Sequence, residues 1–240
     1  MSELIHTLGP FEFDHIALGV CDTRKGPEWI ERLTGAKVVM IEPEEGQYYW
    51  SNALLLPHGG ALEIIGPNPA HRGFHPVKQM LRSYAEPTPF FWHLGAADFG
   101  AVCQAAKAAG GPVERIEHID DETPSGRRVY SRGIIGPGFR SSRPCIVHWR
   151  QRPDRPEMRA APQCEVVGFE LTSPKAAATN KVLEALGVRL RVKPGAEHMR
   201  IRLKTPNGDV ELDGDGTSFE GIGALPMLLK LWTQYIITRN

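Results

Sequence analysis

The chain has 240 residues, and its 28 Lys and Arg balance 28 Asp and Glu; zero formal charge argues against the basic surface that general nucleic-acid or anionic-membrane binding requires. Apolar residues at 41% and charged residues at 23% are ordinary for a globular fold, and a chain of this length can bury a core without staples. Cys21, Cys103, Cys145 and Cys164 are dispersed with no CxxC pair, which argues against a disulfide framework and a cysteine zinc site.

In chain order, residues 1–9 lack the charged start and apolar run of a signal peptide, and no apolar stretch reaches the length that spans a bilayer. A soluble, cytoplasmic protein is expected. Residues 13–20, Phe-Asp-His-Ile-Ala-Leu-Gly-Val, read as a strand. A helix over 27–33 follows, with Pro27 in its first turn and Thr34-Gly35 at its end. Strands are expected at 37–41, 48–56 and 60–65. Residues 91–98, Phe-Trp-His-Leu-Gly-Ala-Ala-Asp, repeat the opening strand with a histidine at the same place. An alanine-rich helix over 99–109 stops at Gly110-Gly111. Strands at 129–135 and 144–149 are the clearest of those that follow it. Residues 151–162 hold three prolines and several arginines, the composition of a linker.

A third copy starts at Val166. It has a strand over 166–171, a helix over 175–186, and strands over 188–192, 199–203 and 209–212. Pro206-Asn207-Gly208 makes a turn between the last two. An apolar-rich helix is expected over 225–237. The expected division is therefore 1–88, 89–160 and 161–240, each a strand–helix–three-strand unit, the third partial.

Strand phase places the candidate chemistry. Ile16, Leu18 and Val20 form an aliphatic set that should pack under the helix, so His15 points the other way with Phe13 and Ala17. His93 repeats that phase. Glu63 stands in the middle of Ala-Leu-Glu-Ile-Ile, where a carboxylate is costly to bury unless it is paired, protonated or metal-bound. Cys145, Val147 and Trp149 form an apolar face expected to pack beneath the second helix, which puts His148 on the cavity side. Imidazole and carboxylate donors suit Zn, Fe, Mn, Co or Ni rather than Ca or Mg, and two histidines with one carboxylate also describe a non-heme Fe(II) site. Nine arginines lie between Arg127 and Arg159. Of these Arg132 sits mid-strand and is the candidate for an anionic substrate group. His71 and His75 read as loop residues at a cavity mouth, because Gly73 and Pro76 interrupt any helix. Asn52 is a candidate for hydrogen-bonding a substrate from a cavity strand.

In these segments, together with Ser-Asn-Ala-Leu-Leu-Leu-Pro and Pro-Cys-Ile-Val-His-Trp, the chain resembles the vicinal oxygen chelate superfamily in its glyoxalase-like branch, over residues 11–150 and more weakly 165–213. The resemblance implies an α+β fold in which paired βαβββ modules form an open eight-stranded barrel around a cavity, with a third partial βαβββ module beside it. It implies a divalent metal ion (Zn, Fe, Mn, Ni or Co) held by His15, Glu63, His93 and His148. The last is a departure, since many metal-dependent relatives carry Glu there, and it leaves open whether His148 is a ligand or an acid–base group. The expected activity is that of a metal-dependent lyase or isomerase on a small carbonyl or enol substrate, with Glu63 or His148 moving the proton. The alternatives are an Fe(II) extradiol-type dioxygenase and a protein that binds a small molecule without catalysis. Phe169 stands in the third copy where His15 stands in the first, and Glu211 there lacks a histidine partner. The third copy is therefore expected to be structural, covering the barrel or pairing with a second chain in a homodimer.

Overall fold

The computed structural model describes residues 8–41, 47–57, 60–123, 125–136, 139–153, 156–215 and 218–219; the helix expected over 225–237 lies outside them. The first half of the molecule contains β1 (Glu12–Gly19), α1 (Lys25–Thr34), β2 (Val39–Met40), β3 (Tyr49–Leu55), β4 (Ala61–Pro67) and α2 (Pro76–Arg82). The second half contains β5 (Thr88–Gly95), α3 (Phe99–Ala108), β6 (Val113–Thr123), β7 (Gly126–Ile135), β8 (Phe139–Arg140) and β9 (Cys145–Gln151). The third unit contains β10 (Glu165–Ser173), α4 (Ala176–Ala185), β11 (Val192–Pro194), β12 (His198–Thr205), β13 (Gly208–Gly214) and β14 (Ser218–Phe219). Among the described residues no helix is long and apolar enough to cross a membrane.

The fold is α+β. Eight strands make one sheet in the order β2-β3-β4-β1-β5-β9-β7-β6. It is open, with β2 and β6 at its two ends. The two halves use one pattern. In each, the first strand runs parallel to the last, β1 with β4 and β5 with β9. The two middle strands then add antiparallel. An antiparallel β1–β5 pairing joins the halves and puts His15 directly opposite His93.

Local chemistry fixes the helices. α1 ends where Gly35 takes a left-handed φ of 70° and its N–H reaches the Glu31 carbonyl, a conformation costly for any residue with a Cβ. α3 begins at Asp98, whose carboxylate accepts from the Ala101 N–H at 3.0 Å. Both helices cover one face of the sheet, and Ile16, Leu18, Ile30, Leu54, Leu62, Trp92, Leu94, Val102 and Ile146 build the core beneath them.

The third unit has the expected element order but a different sheet. Its strands run β11-β10-β12-β13, so its first strand is central and pairs with the second and third. In the other halves the first strand pairs with the fourth. Its apolar side joins the same core, where Phe169 meets Trp92 edge-on at 5.4 Å. Two polar ties hold it. Asn207, in the expected turn, donates to the Arg32 and Leu33 carbonyls at the end of α1. Glu197, buried, accepts from Arg140, the Ser142 N–H and Ser173.

Candidate metal centre

The face of the eight-stranded sheet turned away from α1 and α3 encloses a cavity of about 800 Å³. His15, Glu63 and His93 all line it. They come from three neighbouring strands: His15 is opposite His93 in the β1–β5 pair, and Glu63 is opposite Ala17 in the β1–β4 pair. His15 Nε2 lies 3.1 Å from Glu63 Oε2. The His15 and His93 rings stack with centroids 3.8 Å apart.

β1 departs from strict alternation here. Its register with β5 slips between Phe13 and His15, leaving Asp14 as the extra residue of a bulge. Asp14 and His15 both line the cavity, and Phe13 instead packs on the core. The expected grouping of Phe13 with His15 and Ala17 is corrected by that bulge. Asp14 is buried and receives three donors: His15 Nδ1 at 2.7 Å, Trp149 Nε1 at 3.1 Å and Arg152 at 2.6 Å.

The electrostatics separate the two histidines. Burial alone would lower the His15 pKa, but Glu63 and Asp14 outweigh it and raise it to about 10. Burial and the neighbouring His15 hold His93 well below its ordinary value. Burial would raise Glu63, yet the charge and hydrogen bond of His15 and a hydrogen bond from Ser51 leave it lowered. Burial and Glu63 push Tyr49 far up, so it stays a neutral donor. Burial pushes the Cys145 thiol up to about 12, which removes it as a nucleophile.

The second half lines the opposite wall with Arg128, Tyr130 and Arg132 from β7 and Cys145, Val147 and Trp149 from β9. Arg132 is within the electrostatic reach of His93, Tyr49 and Tyr130, and it pairs with Glu117 at 2.6 Å. Burial would weaken its charge, but Tyr130 and Glu117 hold the proton on it. Arg128 is paired with Asp121. At the cavity His75 stacks on Tyr48, with ring centroids 3.4 Å apart; His71 is not among the lining residues and accepts from Lys78 through its carbonyl. Both histidines belong to the segment before and into the start of α2, as expected of loop residues.

Two expected site residues lie elsewhere. His148 is on the other face of β9: its Nδ1 donates to the Ala96 carbonyl at 2.8 Å, and its neighbour Ile146 is in the core. The apolar set Cys145, Val147 and Trp149 faces the cavity rather than the helix, so the expected phase is reversed. By strand pairing, Val147 opposite Gly95 occupies the place that Glu63 opposite Ala17 holds in the first half. Asn52 is also turned from the cavity. It is buried on the strand face it shares with Leu54, and its Oδ1 accepts from the Ile41 N–H at 3.2 Å. Missed in the sequence were Asp14, Ser51 and Arg152. An Asp beside a strand histidine reads as the opposite face unless the bulge is known.

Among the described residues no three His, Cys, Asp or Glu side chains are already spread around a metal-sized point. The donors instead touch one another, His15 Nε2 against Glu63 and the His15 ring against His93. Their kinds still fit a metal ion. His93 is neutral, the state a ligand needs, and its buried Nδ1 has no hydrogen-bond partner among the described residues. Glu63 is anionic, and His15 Nδ1 is engaged by a carboxylate, the outer partner that metal-bound histidines usually have.

Two like-paired strand sets with histidines meeting at their junction are the arrangement that the resemblance to the vicinal oxygen chelate superfamily implies. The chain belongs to the glyoxalase-like domain family, which matches residues 13–187. No curated protein matches it. Among solved structures, a hypothetical protein from Staphylococcus aureus is similar with a TM-score of 0.54 at 12% identity, covering 85% of this chain and 86% of that one. A triple mutant of 4-hydroxymandelate synthase from Streptomyces coelicolor is similar with a TM-score of 0.51 at 15% identity, covering 86% of this chain and 63% of that one. Methylmalonyl-CoA epimerase from Mycobacterium tuberculosis gives 0.42 at 16% identity, covering 61% of this chain and 91% of that one. At these identities the first two likenesses speak for the fold alone.

Proposed function

We propose that this protein is a metal-dependent enzyme acting on a small molecule that presents two neighbouring oxygens, and that its centre uses three protein ligands, His15, Glu63 and His93. The observation that carries the reading is the meeting of these three side chains on one cavity wall with Val147, not a ligand, at the fourth place. When bound, a divalent ion would supply Lewis acidity to the substrate oxygens. The chain's own residues do the rest. The apolar walls, Ile65, Phe90, Phe91, Ile134 and Val147 among them, exclude water. Arg132, with Tyr49 and Tyr130 near it, faces the oxygen that gathers negative charge.

Three ligands and an apolar fourth place favour the Fe(II) dioxygenase alternative over the lyase or isomerase. A two-histidine, one-carboxylate set leaves positions for both a chelating substrate and a further small molecule. Proton transfer is poorly served, because His148 points away and Glu63 would have to ligate and shuttle at once. The test is metal analysis of the purified protein, then oxygen uptake with Fe(II) and a panel of catechols. Deuterium exchange into 2-hydroxy ketones with Zn, Ni, Co or Mn runs beside it. Exchange without oxygen uptake restores the lyase or isomerase reading. Tight binding of an aromatic ligand by a protein that takes no metal makes it a binding protein.

A further inference from the structure

We propose that Asp14 is a positioning residue that sets the ring of His15 and ties it to the far wall of the cavity, an inference that rests on the metal reading above. Its three contacts carry the argument. One carboxylate oxygen accepts from His15 Nδ1 at 2.7 Å, so that nitrogen keeps its proton and Nε2 is the one aimed at Glu63 and the cavity. The other oxygen accepts from Trp149 Nε1 at 3.1 Å and from Arg152 at 2.6 Å, both at the far end of β9. Arg152 also lies over the Trp149 ring at 4.8 Å. Strand phase should turn the carboxylate to the core side of the sheet, and the bulge at Asp14 brings it to the cavity side, where it is buried. A bulge that re-aims one side chain is the kind placed beside functional sites.

The consequence is a link between the halves. β9 gives no carboxylate to the centre, since Val147 stands at that place, yet its end grips the residue that orients the first ligand. Trp149 and Arg152 both line the cavity, so a bound molecule that shifts either one reaches His15 through Asp14.

The experiment compares the wild type, Asp14→Asn and His93→Ala, titrated with Zn(II) by calorimetry, together with the exchange protection of the His15 Nδ1 proton by NMR. Outer partners of metal ligands are worth about 10–100-fold in affinity. Asp14→Asn is expected to lose Zn(II) affinity in that range and to expose the Nδ1 proton to exchange. Trp149→Phe keeps the ring and removes one donor, and it should lose only a few-fold by the smaller share of the same network. Unchanged Zn(II) affinity in Asp14→Asn overturns the proposal. If wild type and His93→Ala bind no metal alike, the metal reading falls instead. The Nδ1 proton then decides alone: protection lost in Asp14→Asn supports the positioning role, and equal protection in both overturns it.

Discussion

The two halves of the eight-stranded sheet share one strand pattern and place equivalent histidines ring against ring, yet they hold them in opposite states. His15 is flanked by Asp14 and Glu63, which keep a proton on it. At the equivalent places His93 has Trp92, buried in the core, and Val147. Burial, with the charges of His15 and Arg132, outweighs the one favourable carboxylate, Asp14, and holds the His93 pKa well below the ordinary value. The neighbouring strands divide in the same way. Ala53 and Ser51 stand on β3 where Arg132 and Tyr130 stand on β7. Duplication of a fold therefore does not duplicate a site. Both halves reach the centre, but the first brings its carboxylates, while the second sets beside His93 the basic and aromatic wall that would meet the substrate.

Removing a proposed ligand should have the largest effect. Glu63→Ala and His93→Ala are each expected to abolish metal binding, measured by metal content after dialysis against a trace of Zn(II) or Fe(II). Glu63→Ala should also destabilise the metal-free protein, because it strands the charge on His15. Breaking a buried pair costs roughly 3–5 kcal/mol, and the partial exposure of both side chains puts this one at the low end. Retention of stoichiometric metal by either variant would remove these residues from the ligand set.

The third unit offers the next test, since it shares the element order and has Phe169 where the others have histidine. Phe169→Ala should cost about 3–5 kcal/mol of stability from a packed core, with Zn(II) affinity unchanged. A fall in affinity that matches the fall in stability would mean that the unit shapes the site. Glu211 predicts nothing for metal: it is exposed, paired with Arg200, and separated from β10 by β12.

Val147→Glu would make the halves alike. Without metal the new carboxylate is buried opposite Arg132, which already pairs with Glu117, so its burial is only partly offset and the variant should melt somewhat earlier than the wild type. Metal at a hundred times its dissociation constant should stabilise it by about 2.7 kcal/mol. The fourth ligand should take a position from substrate and lower turnover. If metal neither binds more tightly nor raises the melting temperature, positions 63 and 147 are not equivalent in use.

The proton on His15 gives a pH signature that His93 lacks. A folded pKa raised to about 10 from 6.5 means that this group stabilises the metal-free protein fully below pH 6.5. The contribution is lost as pH rises through about 10. An ion must displace the same proton, so Zn(II) affinity should rise with pH toward 10, with about one proton released at neutral pH. Calorimetry in buffers of different ionisation enthalpy counts it. Release of no proton would mean that His15 is neutral before metal binds.

Much of this organisation was legible in the sequence, because Phe-Asp-His and Phe-Trp-His carry the repeat and Glu63 interrupts an apolar strand. Three features were not. β6, from Val113 to Thr123, was missed since it is a charged edge strand whose ion pairs with β7 replace an apolar face. The pairing in the third unit was missed since hydrophobic phase says which face is buried and not which strand lies beside it. The phase of β9 was read backwards because both of its faces are apolar, one toward the core and one toward a cavity with apolar walls.

His148 tests that last point with the smallest expected effect. On β9 the residues alternate, and the pairing of Cys145 with His93 fixes which set faces the cavity. His148 then belongs with Ile146, toward α3, and its one polar contact among the described residues is the 2.8 Å bond to the Ala96 carbonyl just past β5. That bond joins the ends of two parallel strands and has no path to the centre. A single intramolecular hydrogen bond is worth about 0.5–1.5 kcal/mol, and His148→Ala should lower stability by that much. Its metal affinity and turnover should match the wild type once both are compared well below their melting temperatures. His148→Gln, which can donate to the same carbonyl, should recover most of the stability. A sharp fall in metal affinity in His148→Ala, unrepaired by Gln, would return this residue to the ligand set and would require β9 to turn over.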